Sequence, residues 1–366
     1  LLPLQHSIAR KKLPEYFNYL IITTLVIVLA LVYLRMAKWL NITDNPGGRS
    51  SHTQVTYTGL GVIFPLSLLV TPLLVATSPA TGPFFIIGLM ILAIISFIDD
   101  MIFVKHSVRF VFQLFALVIM VIEMPLGYGV LGLLPIYASA IVFGVGVINA
   151  YNFMDGINGM LGLNVLVTLL SFWLLNDILP AQNGLPLHFV DSRMLFAISV
   201  AIIVFLFYNF RTKAKSFAGD VGAISIGFII LYLMFLLLLE TQNFAYLLLF
   251  IVFGIDAGVT VFYKIILREN IFVPHRDFLF KKLVHIAKMK HLRVSAIYAL
   301  IQLTVSMTTI LLFRNIPKST QIGVLFIGIV GFVWVYIYFR NKFTKKRHEP
   351  SIDKKKSLKA TYKRIS

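Results

Sequence analysis

Side chains able to do chemistry crowd into one short stretch, Asn149-Ala-Tyr-Asn152-Phe-Met-Asp155-Gly156-Ile-Asn158-Gly159. It lies between two apolar runs, where a brief indifferent turn would be enough. Carboxamides donate and accept hydrogen bonds, and a carboxylate offers charge or a metal ligand. The two glycines allow close backbone approach and positive φ. A polar knot at the end of apolar helices is costly unless it faces water or a substrate. The stretch therefore reads as a site rather than a connector.

The other acids fall in similar places. Asp44, Asp99, Asp100 and Asp220 sit at the ends of apolar runs or in the loops joining them, and Asp256 lies a few residues deeper. In Asp44-Asn-Pro-Gly-Gly-Arg49-Ser-Ser-His52, Asp, Pro and Gly predict a turn, and Arg49 with His52 could hold an anion or meet lipid headgroups. Adjacent Asp99 and Asp100 repel unless a cation compensates. That cation is either a hard divalent metal such as Mg²⁺ or the nearby Lys105, His106 or Arg109. Gly219-Asp220-Val-Gly222 opens an apolar run, either as an anion-facing helix start with a carboxylate for a cation or as an ordinary cap. Asp256 lies inside a span, where an unpaired charge costs about 3 kcal/mol on insertion scales. Lys264, two turns on, offers a structural pair. His275 and Arg276 precede a stretch, 276–293, patterned like a helix on a membrane surface; they could reach a diphosphate or grip lipid.

These residues need a membrane bundle to hold them. The 366 residues are 58% hydrophobic and 13% charged, about half the charge of a soluble domain. Mean hydropathy is +0.88. We expect an all-α, polytopic integral membrane protein with spans at roughly 17–36, 59–77, 83–99, 108–125, 128–148, 157–178, 193–209, 220–240, 243–265, 294–313 and 319–339. Residues 1–340 form one transmembrane domain, and 341–366 a basic tail, expected to be disordered. Of 33 Lys and Arg, only Arg10, Lys11, Lys12, Arg193, Arg314 and Lys318 fall on the predicted outer side. That bias puts the N-terminus outside, and the C-terminus and the acids on the cytoplasmic face. Net charge of +18 lies beside the spans, which points to anionic lipid and not to nucleic acid. With no cysteine, disulfides and thiolate metal sites are excluded. The first apolar segment is long enough to span, so no cleavable signal is expected. No internal repeat or matched pair of broken spans suggests a transporter.

Between about Asp44 and Leu283 the chain resembles the polyprenyl-phosphate N-acetylhexosamine-1-phosphate transferases, glycosyltransferase family 4. These bacterial enzymes begin O-antigen, teichoic acid and capsule-like glycans and are cousins of phospho-MurNAc-pentapeptide transferase. The matching motifs are Asp44-x-Pro46-x-x-Arg49-x-x-His52, Asp99-Asp100 with Arg109 and Gln113, the Asn149–Gly159 stretch, Gly219-Asp220-x-Gly222, and Asp256. Asn158 stands where an aspartate is often found. The Asp-Asp-x-x-Asp form is lost at Ile102-Phe103, and Pro274-His275-Arg276 replaces a His-x-His-His signature.

The resemblance implies a bacterial cytoplasmic-membrane enzyme. It would transfer sugar 1-phosphate from a UDP-N-acetylhexosamine to undecaprenyl phosphate and release UMP, with Mg²⁺ or Mn²⁺ as cofactor. It makes Asp220 the principal metal ligand with Asp100, and Asp99, Asp100 and Asp155 the catalytic acids. Asp44, Arg49, His52, Asn149, Asn152, Asn158, Asp256, His275 and Arg276 would bind substrate. Two copies could pair through apolar faces. An inactive relative serving as a membrane scaffold, or a transporter, is the alternative.

Overall fold

The computed structural model describes residues 15–44, 55–74, 82–124, 134–180, 184–269, 277–313 and 317–348. Its helices are α1 (Glu15–Trp39), α2 (Ile63–Leu74), α3 (Pro83–Met101), α4 (His106–Glu123), α5 (Leu134–Met154) and α6 (Met160–Trp173). They continue with α7 (Ser192–Asn209), α8 (Gly219–Thr241), α9 (Ile251–Ile266), α10 (Leu279–His285), α11 (His291–Phe313) and α12 (Lys318–His348). A 3₁₀ segment, Phe244–Phe250, leads into α9. Among the described residues ten helices are long and apolar enough to cross a membrane, and the shorter apolar helix Leu60–Leu73 takes the place of the eleventh expected span. The fold is all-α and polytopic, as expected.

α8 is the axis of the bundle. It is apolar on every side, as a helix enclosed by other helices must be, and 89% of its most apolar stretch is buried, against 6% for α12 at the periphery. Phe85 of α3 stacks on Tyr232 at 3.9 Å and on Phe228 at 5.6 Å, fixing α3 against α8. The start of α8 is bolted to the loop after α1 by a small ladder. Strand β1 (Thr43–Asp44) pairs antiparallel with β2 (Thr56–Tyr57), and Tyr57 bridges to Ser216. Phe217 N–H donates to the Tyr57 carbonyl at 2.8 Å, and Leu60 and Gly61 N–H donate to Phe217 and Ala218 carbonyls at 3.0 Å. The backbones approach so closely here that a Cβ on Gly61 would sit 2.2 Å from the Gly222 Cα.

Three expectations are corrected. The stretch 149–154 is helical, because α5 runs on to Met154; Asn149 and Asn152 therefore share a face at i, i+3 spacing. The segment 276–293 is not one surface helix. It is split into the short helix Leu279–His285, whose Phe280 and Lys282 are buried against the bundle, and the start of α11 at His291. Disorder was expected from 341, but α12 continues to His348. No helix breaker precedes Glu349-Pro350, and cations near a helix C-terminus favour it.

The ends of α3, α4, α5 and α8 that carry Asp99, Arg109, Asn152 and Asp220 meet at one end of the bundle. The start of α1 lies at the opposite end. The C-terminal part of α12 is at the site's end, where the Arg340 guanidinium lies 3.8 Å above the Tyr263 ring near the close of α9.

The glycine contacts make a paired prediction. Gly61→Ala must push backbone from backbone and should lower stability by about 1–3 kcal/mol, the usual cost of overpacking. Gly254→Ala, with nothing within 4 Å of the added methyl, should leave the unfolding midpoint in detergent unchanged. Equal midpoints for the two variants would contradict the packing described.

Candidate active site

Arg109 is the centre of the polar cluster. Its Nη1 pairs with Asp99 Oδ2 and lies 2.6 Å from Asp220 Oδ2. The other Asp99 oxygen accepts the Val104 N–H at 2.7 Å, so the turn after α3 holds that carboxylate in place. With its carboxamide nitrogen facing Asp220 Oδ1 at 3.1 Å, Asn152 accepts from Arg109 Nη2 at 3.2 Å. A guanidinium suits this task because its planar fork serves several acceptors at once. The like-charge conflict at 99–100 is thus relieved by Arg109, one of the cations the sequence offered.

Asp100 also has a structural role. Its two oxygens accept the N–H groups of Asp220 (2.8 Å) and Val221 (3.1 Å), capping the start of α8 from α3. Gly219 makes this possible: it has φ 73°, and a Cβ there would lie 2.5 Å from Asp100 Oδ2. Two of the roughly four lone-pair positions of this carboxylate are thus spent on helix N–H groups, a structural role beside the catalytic and metal-binding one expected of Asp100. Asp256 is likewise committed. Buried to 1% exposure, it accepts from Leu279 N–H, Phe280 N–H, Tyr298 O–H and Tyr336 O–H. Asn158 is buried and donates to the Arg211 carbonyl at 2.7 Å, away from the acids. Neither Asp256 nor Asn158, both expected to bind substrate, lines the cavity described below.

The polar cluster opens into a cavity of about 950 Å³. At one end lie Arg109, Asn149, Asn152, Asp155, Asp220 and Lys281. The remainder is walled by apolar side chains of α5, α9 and α12, among them Phe143, Phe253, Leu325 and Ile329. Asn149 donates to Gln113 Oε1 at 3.1 Å and lines the wall beside Asn152. Asp44 is exposed in β1, on the strand pair that joins the start of α8. Arg49, His52, His275 and Arg276 lie outside the described residues. Lys281 was missed by sequence reasoning, since nothing singles out one lysine in a lysine-rich segment. Gly159 does take positive φ, 82°.

Asp155 is half-buried at the cavity end. Burial pushes its carboxyl up to about 7, and the neighbouring Asp220 carboxylate adds to the rise. Among the described residues no group of three or more His, Cys, Asp or Glu is placed to hold a metal ion. Asp220, partly exposed at 31%, and Asp155 nevertheless offer hard oxygen donors at the cavity. Mg²⁺ commonly binds in this way, through one or two carboxylates together with substrate phosphates and not in an all-protein cage. The residues fit a metal that binds with its substrate.

Residues 83–238 match the model of glycosyl transferase family 4. This bears out the family resemblance, and the matched segment contains Asp99, Arg109, Asn152, Asp155 and Asp220. The chain is also 24% identical over 294 residues, 75% of its own length and 78% of the relative's, to a Bacillus subtilis (strain 168) protein. That protein is named "Probable undecaprenyl-phosphate N-acetylglucosaminyl 1-phosphate transferase".

The raised Asp155 value sets a pH dependence. Its ordinary value is 3.8 and its folded value about 7, so the folded chain keeps a proton there that the unfolded chain has released. Stability from this group is complete below about pH 4 and is lost as pH rises to about 7. Without divalent cations, the unfolding midpoint should fall between about pH 5 and pH 8, and Asp155→Asn should flatten that fall. An unchanged pH profile in Asp155→Asn would show that this carboxyl is not raised.

Proposed function

We propose that this chain is a glycosyl transferase of family 4 that moves an N-acetylhexosamine 1-phosphate from a UDP-sugar to undecaprenyl phosphate, releasing UMP. The reading rests on one observation: a polar cluster suited to phosphate lies beside the apolar walls of a cavity within a membrane bundle. An acceptor with a charged head and a polyprenyl chain has the same division. Its phosphate would sit by Arg109 and Asp155, and its first isoprene units along Phe143, Phe253, Leu325 and Ile329. The relative named above carries the same acceptor in its name. On this reading the polar end faces the cytoplasm, where nucleotide sugars are made.

Direct transfer needs little covalent chemistry from the protein. An oxygen of the lipid phosphate attacks the β-phosphorus of the donor. The bond from that phosphorus to the bridging oxygen breaks, and UMP leaves with the electron pair. What the residues supply is placement and charge. Arg109, steadied by Asp99 and Asn152, turns N–H groups toward diphosphate oxygens. Asp155 lines the same end of the cavity, where its carboxyl oxygens stand beside Asp220. Lys281 adds positive charge there. Mg²⁺ or Mn²⁺ held by Asp220, with Asp155 beside it, would neutralise phosphate oxygens when bound.

UMP release by purified protein tests the reading, using undecaprenyl phosphate, Mg²⁺ and a panel of UDP-N-acetyl sugars. Release should require the lipid. Asp220→Asn should lower it about 100-fold or more, as expected for a group that stabilises transition-state charge. Arg109→Lys should lower it at least ~10-fold, because an ammonium cannot reproduce the forked contacts. Substrate flux without UMP would instead mark a transporter, and absence of release from folded protein with every donor would mark an inactive scaffold. A trapped phosphoenzyme would overturn direct attack.

A further inference from the structure

We propose that Asp256 is a positioning residue: it locks α10 in place so that Lys281 is held at the polar end of the cavity, where the donor's diphosphate binds. The inference rests on the transferase reading for its substrate, but its structural half stands apart from it.

Asp256 lies inside α9, and each of its oxygens has two donors. Oδ1 takes Leu279 N–H at 2.9 Å and Tyr336 O–H at 2.9 Å; Oδ2 takes Tyr298 O–H at 2.7 Å and Phe280 N–H at 3.3 Å. A carboxylate offers about four lone-pair positions, so it has no capacity left for substrate. Tyr336 O–H also meets Thr260 Oγ1 at 2.8 Å. One buried acid thus joins α9, α10, α11 and α12.

The element that depends on it most is α10. Its seven residues are too few for a helix to persist in isolation, and its first N–H groups find their acceptor in Asp256. That cap fixes the rotation of the turn. Phe280 is driven into the core while Lys281, the next residue, reaches the cavity. The Lys281 ammonium stands 5.5 and 5.7 Å from the Phe278 and Phe280 rings, and its Cε would lie 3.1 Å from a Cβ on Gly156. Tyr336 draws in α12, whose Leu325 and Ile329 wall the apolar part of the cavity. A charge kept this deep in an apolar span makes sense if releasing it would let the cation at the polar end drift.

The test uses the full chain in detergent or nanodiscs. Asp256→Asn should raise the donor KM about 5-fold or more with kcat changed by less than about 3-fold, the pattern of lost ground-state binding. Lys281→Gln should do the same, and the double variant should be no worse than either single one, because Asp256 acts through Lys281. Additive effects, an unchanged KM, or a loss confined to kcat would overturn the proposal. If Asp256→Asn does not fold, Tyr298→Phe replaces it, with a smaller shift in the same direction expected and no shift contrary.

Trypsin supplies a readout that needs no substrate. The bonds after Lys281 and Lys282 should resist cleavage in the parent chain and become cleavable in Asp256→Asn but not in Asp220→Asn. Equal protection in all three would overturn the positioning role even if the chain releases no UMP, an outcome that would itself count only against the transferase reading.

Discussion

A carboxylate at the edge of an apolar bundle must be neutralised, paired or hydrogen-bonded, and this requirement organises the molecule. Burial of an unpaired charge costs several kcal/mol, and hydrocarbon offers no donors. The chain meets the cost chiefly with the N–H groups that every helix start leaves unpaired. Asp100 takes those of α8, and Asp256 those of α10. At the far end Glu123 takes those of α3, from Phe84 and Phe85 at 3.1 and 2.9 Å. Each cap satisfies two needs at once and ties two helices together. Asp99 instead takes the Arg109 guanidinium.

What remains is a small set of groups turned toward open space. Asp220 shares Arg109 with Asp99, Asn152 bridges the two, and Asp155 lines the cavity with no side-chain hydrogen bond among the described residues. This is a cluster in which charge is balanced but can be rearranged. On the proposed reading, an incoming diphosphate would draw Arg109 from Asp220 and leave that carboxylate for a divalent cation. The caps make such exchange tolerable, because the helix ends around the cluster are anchored independently of it. The apolar walls behind the cluster complete a space suited to an amphiphile.

Much of this was readable in the sequence where the signal is local. Apolar runs of about 20 residues mark the spans; the expected 193–209 and 220–240 became Ser192–Asn209 and Gly219–Thr241. The acids were expected at one end of the bundle, and Asp99, Asp155 and Asp220 do gather there. What stayed hidden depends on partners far along the chain. That Asp100 caps α8 is invisible in the sequence, because its partners lie 120 residues later. Asp256 resembles a functional intramembrane charge because its four donors come from three other helices. Asn158 resembles a lost catalytic acid, yet it faces the Arg211 carbonyl, which only a donor satisfies. Lys281 gains its place from the fold of α10 alone.

The central claim is that Asp220 and Arg109 hold the donor's diphosphate together with a divalent cation. Calorimetric titration of a UDP-N-acetyl sugar into the folded protein, with no lipid acceptor, tests it most directly. Affinity should drop about 10-fold or more when Mg²⁺ is withheld or when Asp220→Asn is used, as expected on losing a charge-assisted contact. Equal affinity in all three conditions would place the donor elsewhere and contradict the assignment of this cluster as the site of transfer.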